Sequence, residues 1–351
     1  MNKHGGYYGE DQNNVIDFSV NINPLGVSKN LVEALKKELE KMERYPEIDG
    51  ISAKEILAKH LSTKSEKIIL GNGATELIYL FARSINPKKV LIVQPTFTEY
   101  KKAFELVGSS IYSFVTKEED NFTIHIGDLV AELDSLKPDV LVLCNPNNPT
   151  GTFTNMNDLI PVLNKLKEIG GYLFIDESFI DFTDEVPYLS LIYEYNIFIL
   201  RSMTKIFAVP GLRLGYGVAN EETISRLYHM KEPWTINSLA LSSVPILLND
   251  VEYTMKTKKW YEEEKKILFQ ELDKIKDIKV FYGKANFFLI KLLQKDSYSL
   301  KNYLLSKDVY IRTCDDFIGL SNEYIRVAVR NREENIKLVS EIREYFEKLS
   351  S

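Results

Sequence analysis

The chain has little cysteine. Cys144 and Cys314 are its only two, far apart and without CxxC spacing. That spacing excludes a disulfide framework, argues against a structural zinc and points to a reduced compartment. The four histidines, His4, His60, His125 and His229, show no metal-ligand spacing, so no metal is expected. No apolar run approaches the ~20 residues that cross a bilayer. Met1-Asn2-Lys3-His4 lacks the apolar core of a signal peptide. The expectation is a cytoplasmic protein with no membrane partner. Basic blocks are missing too, and the formal net charge is -6, which gives no support for a nucleic-acid partner. Internal repeats and low-complexity segments are also absent. What remains is an ordinary apolar fraction in 351 residues, enough for a sizeable core in two domains or in one α/β body with an appendage.

The middle of the chain has an α/β rhythm. Short apolar runs at Ile68–Leu70, Val90–Val93, Val140–Cys144, Tyr172–Ile175, Ile197–Leu200 and Leu214–Ala219 read as strands, with helical patterns between most of them. Such alternation predicts a mostly parallel sheet with helices on both faces, and ligands beyond the carboxyl ends of its strands. The polar clusters fall at those ends. Gly71-Asn72-Gly73-Ala74-Thr75-Glu76 joins a strand to a helix and offers free N–H groups to an anion, or is an ordinary βα turn. Gln94 to Tyr100 follows another strand, where Phe97 or Tyr100 stacks on a planar ring or packs in the core. Asn145-Pro146-Asn147-Asn148-Pro149-Thr150-Gly151 is a stiff loop rich in amides. Asp176 and Glu177 are carboxylates at the end of a buried strand, where an acid needs a partner.

The segment around Lys205 organises the rest. A buried strand leads into Ser202-Met203-Thr204-Lys205, and Arg213 follows in a loop punctuated by Pro210, Gly211 and Gly215. A lysine at a strand end can form a Schiff base, and an arginine in the next loop can bind a phosphate in bidentate fashion. Alone, the same residues also fit a solvated turn.

Ser28 is expected to cap a helix from Leu31 to Met42, and Ser52 with Glu55 to form a capping box for the next. Beyond Asn220 the composition shifts. A helical crossover starts at Trp234, a charged helix spans Tyr253 to Ile275, and strand-like runs follow at Phe287–Ile290, Val309–Arg312 and Tyr324–Arg330. Alternation in the last run places Arg326 and Arg330 on one face, about 13 Å apart. A final helix starts near Asn331. The expected division is a large domain at 45–240 and a smaller α+β domain made of 1–44 and 241–351.

These stretches, together with Asn21-Ile22-Asn23-Pro24-Leu25-Gly26, Arg44-Tyr45-Pro46 and Arg326 to Asn335, keep one order from end to end. In that order the whole chain resembles the fold-type-I pyridoxal-phosphate enzymes, in the branch of histidinol-phosphate aminotransferases and L-threonine-O-3-phosphate decarboxylases. The resemblance implies an aspartate-aminotransferase-like α/β fold, pyridoxal 5'-phosphate as cofactor and a homodimer. It implies that Lys205 bonds to the cofactor and that Asp176 pairs with its ring nitrogen, keeping it protonated so that the ring accepts electrons. Asn148 would bond the ring oxygen and Phe97 would stack on the ring. Gly73, Ala74, Thr75, Ser202, Thr204 and Arg213 would cup the phosphate, and Tyr45 would reach the cofactor of the neighbouring subunit. Arg326 would hold the substrate carboxylate, and Asn23 would also contact the substrate. Phe179 stands where many aminotransferases have a tyrosine that contacts the ring oxygen.

His4-Gly5-Gly6 resembles the opening of the decarboxylases, and Arg330 replaces a glycine usual in the aminotransferases. His4 and Arg330 are therefore expected to clamp a substrate phosphate, against the alternative that Arg330 pairs with Glu333 or Glu334. The implied reaction is decarboxylation of L-threonine O-3-phosphate for the cobalamin side chain, with L-serine O-phosphate as a variant substrate. A histidinol-phosphate-type aminotransferase is the alternative. A binding or regulatory protein without turnover is disfavoured by the presence of both Lys205 and Asp176.

Overall fold

A computed structural model describes residues 4–9 and 14–350. Thirteen strands are named here in chain order: β1 (Ile16–Asp17), β2 (Ile68–Asn72), β3 (Lys89–Gln94), β4 (Ser110–Val115), β5 (Val140–Cys144), β6 (Tyr172–Asp176), β7 (Ile197–Ser202), β8 (Leu214–Val218), β9 (Ile278–Phe281), β10 (Phe287–Leu292), β11 (Val309–Tyr310), β12 (Arg312–Thr313) and β13 (Tyr324–Ala328). Seven form one sheet in the order β2-β8-β7-β6-β5-β3-β4. β7, β6, β5, β3 and β4 are mutually parallel, whereas β8 runs antiparallel to both its neighbours.

The apolar strands of this sheet serve two cores, because successive side chains point to opposite faces. Leu91, Leu141, Leu173, Ile175, Ile197 and Ile199 join the core on one face. Val90, Ile92, Val140, Val142, Phe174 and Phe198 join the core on the other. Continuous hydrophobicity is thus the mark of a layer covered on both sides. A four-stranded antiparallel sheet, β12-β13-β10-β9, packs with helices Val251–Leu272, Ser297–Leu305 and Arg332–Ser350 around a separate core.

The α/β expectation of a mostly parallel sheet and a smaller α+β unit describes this arrangement, but the expected boundaries cut through packing. Leu31 from helix Lys29–Glu38, and Val244 and Leu247 from helix Ser238–Asn249, are buried in a core of the large sheet. An amphipathic helix goes where its apolar stripe is covered, so these segments belong to the large layer. Of the 1–44 segment, residues 1–3 and 10–13 lie outside the described residues.

Two capping expectations are also corrected. The Ser28 hydroxyl donates to Asp250 Oδ2 rather than to its own helix. Helix Ile51–His60 starts at Gly50 in the left-handed region, and Ser52 bonds to Glu47, so no box forms with Glu55. No helix among the described residues is long and apolar enough to cross a membrane.

Candidate active site

The carboxyl ends of β5, β6 and β7 open on a cavity of about 520 Å³. Its lining includes Ala74, Thr75, Phe97, Asn148, Asp176, Thr204, Lys205, Arg213 and Arg326, residues far apart in sequence, and also His4. Ser202 touches this set, since Lys205 Nζ donates to its hydroxyl at 3.3 Å and Thr204 Oγ1 lies 2.9 Å from the same oxygen. Burial pushes the Lys205 amine down from its ordinary value, while Asp176 pulls it the other way and Arg213 and Arg326 press it down further. A lowered amine is the nucleophilic form needed for bonding to a carbonyl carbon.

The turn after β2 is built for an anion. Helix Gly73–Ile85 begins directly at Gly73, so Ala74 and Thr75 supply first-turn N–H groups. Gly73 has φ +77°, and its amide donates to the Arg213 carbonyl at 2.9 Å. A Cβ here would come within 2.2 Å of Arg213 Nη2, so the glycine leaves room for that guanidinium. With the hydroxyls of Ser202 and Thr204, this donor set suits a phosphate monoester. The buried carboxylate of Asp176 and the amine of Lys205 would supply the remaining contacts that pyridoxal phosphate requires, and the residues present fit that group.

Two expected substrate contacts lie elsewhere. Asn23 is buried away from the cavity lining. Its Nδ2 donates to the Ile206 carbonyl at 2.8 Å, Thr257 Oγ1 at 2.8 Å and Tyr253 Oη at 3.0 Å, and its own amide donates to the Lys205 carbonyl. It anchors the backbone that carries Lys205, while Asn21, two residues earlier, lines the cavity. Arg330 is also outside the lining. β13 ends at Ala328, so the alternation that would align Arg330 with Arg326 stops before it. Its guanidinium donates to both oxygens of Glu334, at 3.0 and 2.9 Å, and to the Asp17 carbonyl. The clamp of His4 with Arg330 is therefore not formed, and the Glu334 alternative holds.

His4 instead meets Glu99, Nε2 to Oε1 at 3.0 Å, with its ring 5.7 Å from that of Phe97. Glu99 also accepts from Tyr79 at 2.6 Å and Lys102 at 2.6 Å. Burial raises the Glu99 pKa, but these donors win and hold it below the usual carboxylate value. Residues His4 to Tyr7 are tied down further by Gly6 N–H to Ser19 Oγ at 2.7 Å and Tyr7 N–H to Asp17 Oδ2 at 2.9 Å. The arm thus joins the cavity rim on both sides.

Arg312 is a cavity residue that the sequence pattern did not single out. It faces Arg326 directly across the β12–β13 pair. The run Val309–Arg312 reads as one strand, but it divides into β11 and β12, which join different sheets. Two opposed arginines repel. Burial, with Arg312 adding to it, drops Arg326 to about 10. Arg312 is held by Asp316 at 2.6 Å and by the Thr313 carbonyl at 2.6 Å.

Tyr45 is 85% exposed and packs against Trp234 in a tilted pair, centroids 5.3 Å apart, outside the cavity of its own chain.

The family model for class I and II aminotransferases matches residues 13–342. The chain is 34% identical to a threonine-phosphate decarboxylase of Salmonella typhimurium, over 94% of this chain and 90% of that one. It is also 34% identical to an L-serine phosphate decarboxylase of Campylobacter jejuni, over 87% and 80%. The crystal structure of a histidinol-phosphate aminotransferase from Clostridium acetobutylicum superposes with a TM-score of 0.88 at 33% identity, covering 93% of this chain and 98% of that one. With a family model spanning nearly its whole length and a lysine, an aspartate and a phosphate cup gathered at one cavity, the chain belongs to the class I and II aminotransferase family.

Proposed function

We propose that the protein removes the carboxylate of a phosphorylated amino acid as CO2. L-threonine O-3-phosphate is the substrate the reading favours, giving (R)-1-aminopropan-2-yl phosphate for the cobalamin side chain, in the cytoplasm. The observation that carries it is Arg326 in the cavity wall, a buried guanidinium whose hydrogen bonds go to the neutral oxygens of Asn148 and Ser19 and whose Nε has no partner. A buried cation is costly unless an anion sits against it, and Asp316 already serves the opposed Arg312. The acidic groups of a phosphorylated amino acid supply that anion, and a charge-assisted contact of this kind contributes roughly 1.5–3 kcal/mol.

When bound through Lys205, pyridoxal phosphate would supply an electron sink for the pair left on the α-carbon when one of its bonds breaks. Asp176 would pair with the ring nitrogen and keep it protonated. Ala74, Thr75, Ser202, Thr204 and Arg213 would take the phosphate, and Gly73 leaves room for Arg213. Asn148 is placed to donate through its amide nitrogen, since its Oδ1 is taken by Arg326 at 2.5 Å. Arg326 orients the substrate by its carboxylate, and orientation selects which α-carbon bond is cleaved. His4, held by Glu99, stands at the rim of the cavity.

A second reading, transamination of histidinol phosphate with 2-oxoglutarate, is favoured by the Clostridium relative, because aminotransferase and decarboxylase need the same cofactor residues. The test is to incubate holoenzyme with L-threonine O-3-phosphate and L-serine O-phosphate and measure CO2. The expectation is stoichiometric release, faster with the threonine phosphate. Release of no CO2, together with 2-oxoglutarate-dependent consumption of histidinol phosphate, overturns it.

We also infer that the chain works as a homodimer in which Tyr45 reaches the neighbouring copy's cofactor phosphate. The support is the exposed apolar set Leu39, Met42, Tyr45, Ile48 and Ile51. A monomer by light scattering at working concentration overturns this.

A further inference from the structure

Tyr100 touches both residues that frame the ring site. It is fully buried. Its hydroxyl donates to Asp176 Oδ2 at 2.6 Å. The other oxygen of that carboxylate, Oδ1, accepts the Ser178 N–H at 2.8 Å, so each oxygen has one donor. The ring of Tyr100 packs edge-on against Phe97, with centroids 5.6 Å apart and planes at 82°. It also packs against Phe174, two residues before Asp176 on β6, at 5.9 Å and 61°.

Packing alone does not account for this residue. A phenylalanine would fill the same space, and a phenol buried without a partner is costly. Burial, with Asp176 close by, pushes the Tyr100 pKa well up, so the phenol keeps its proton and acts toward the carboxylate as a donor. The neighbouring thiol of Cys144 is directed to the Pro146 carbonyl at 3.3 Å. Without the tyrosine hydroxyl, the Asp176 carboxylate keeps only the Ser178 contact and can pivot about its Cβ–Cγ bond.

We propose that Tyr100 is a positioning residue for the cofactor: its hydroxyl fixes the Asp176 carboxylate against the ring nitrogen, and its ring fixes the plane of Phe97. This rests on the reading of Asp176 as the ring-nitrogen partner. One rigid side chain then ties the two contacts together, so that neither moves independently of the other.

The test uses purified Tyr100→Phe, Tyr100→Leu, Asp176→Asn and the Tyr100→Phe/Asp176→Asn double variant. Each apoenzyme is titrated with pyridoxal phosphate, each holoenzyme's visible band is followed against pH, and each apoenzyme is melted. Tyr100→Phe is expected to weaken cofactor binding roughly tenfold, the scale of one hydrogen bond to a charged group. It should also shift the pH midpoint of the visible band and lower kcat while leaving KM for substrate nearly unchanged, with the apoenzyme melting as before. Tyr100→Leu is expected to bind more weakly still, because Phe97 loses its support. In the Asp176→Asn background, Tyr100→Phe should add nothing to the loss, as residues acting as one unit are not additive.

An unchanged dissociation constant and band in Tyr100→Phe overturn the proposal, as does an equal loss with and without Asp176→Asn. Equal losses in the Phe and Leu variants remove the part that concerns Phe97. If Asp176→Asn alone behaves as wild type, the ring-nitrogen reading fails and takes the proposal with it. That outcome is told apart from failure at Tyr100, because it appears in the single Asp176 variant.

Discussion

Arg326 Nη1 donates to Asn148 Oδ1 across 2.5 Å. One partner lies on β13 of the small sheet and the other in the loop after β5 of the large one. The same guanidinium donates through Nη2 to the Ser19 carbonyl at 2.6 Å, and its Nε is buried without a partner. A residue assigned to substrate is therefore braced by a residue assigned to cofactor, and the braces leave three of its five N–H groups unspent, the buried Nε–H among them.

Arg326→Lys should raise KM for the phosphorylated substrate by roughly 10- to 100-fold, because an ammonium cannot reproduce a planar fork that binds Asn148, Ser19 and an anion together. Steady-state kinetics with cofactor in excess check this. A KM within a factor of two of wild type removes Arg326 from substrate binding.

Gly73→Ala tests the phosphate cup. The new Cβ meets the end of a flexible, exposed arginine, so the side chain yields, but φ +77° disfavours any residue with a Cβ. The expected stability cost is about 1 kcal/mol. Displacement of Arg213 should weaken pyridoxal phosphate binding more than it lowers the apoenzyme's melting temperature, as measured by titration and calorimetry side by side.

Glu118 fastens the two sheets. It accepts from Lys291 at 2.8 Å and Tyr324 at 2.6 Å through Oε2, and from Lys279 at 3.2 Å through Oε1. Burial raises its pKa, but the three donors overcome this and lower it from 4.5 to about 2. A carboxylate depressed in the folded state stabilises above its unfolded value and loses that contribution as pH falls through the folded one. Glu118→Gln should therefore cost about 1–2 kcal/mol at neutral pH, discounted for its partial exposure. Its gap from wild type should narrow as pH falls from 4.5 toward 2, as urea titrations across that range can show.

Lys265 gives the same direction of pH dependence from a different cause. Its ammonium is buried, donates to Tyr261 Oη at 2.6 Å and to the Gly283 carbonyl, and is lowered by burial, with Lys284 adding, from 10.5 to about 7. Between those values the unfolded chain binds a proton that the folded chain does not, so stability falls as pH drops from 10.5 to 7 and levels off below. Lys265→Met should flatten the pH dependence of stability in that window by a few kcal/mol, an order of magnitude set by the shift. An unchanged slope rules out Lys265 as the titrating group.

The strands of the large sheet could be read directly, because residues such as Leu141 and Val142 are apolar whichever face they serve. The turn at Gly73 and the lysine after β7 were visible for a related reason: each is a local device at a strand end. Arg330 lies off the cavity because the alternation that aligns it with Arg326 ends with β13 at Ala328, where nothing in the local pattern marks the stop. Arg312 was passed over because a single run of residues divides between two sheets. Asn23 is the amide expected at the substrate, whereas Asn21 lines the cavity, since both lie in one extended segment and only packing decides which faces inward.

From its residues alone this chain determined the α/β class, the order of its strands and helices along the chain and the set of polar groups at strand ends, since periodicity and turn chemistry are properties of neighbours. Which of those groups share a cavity was decided only by the fold. The juxtapositions of Arg312 with Arg326, His4 with Glu99 and Tyr100 with Asp176 are contacts between separate segments, set by sheet register and by how the two layers pack.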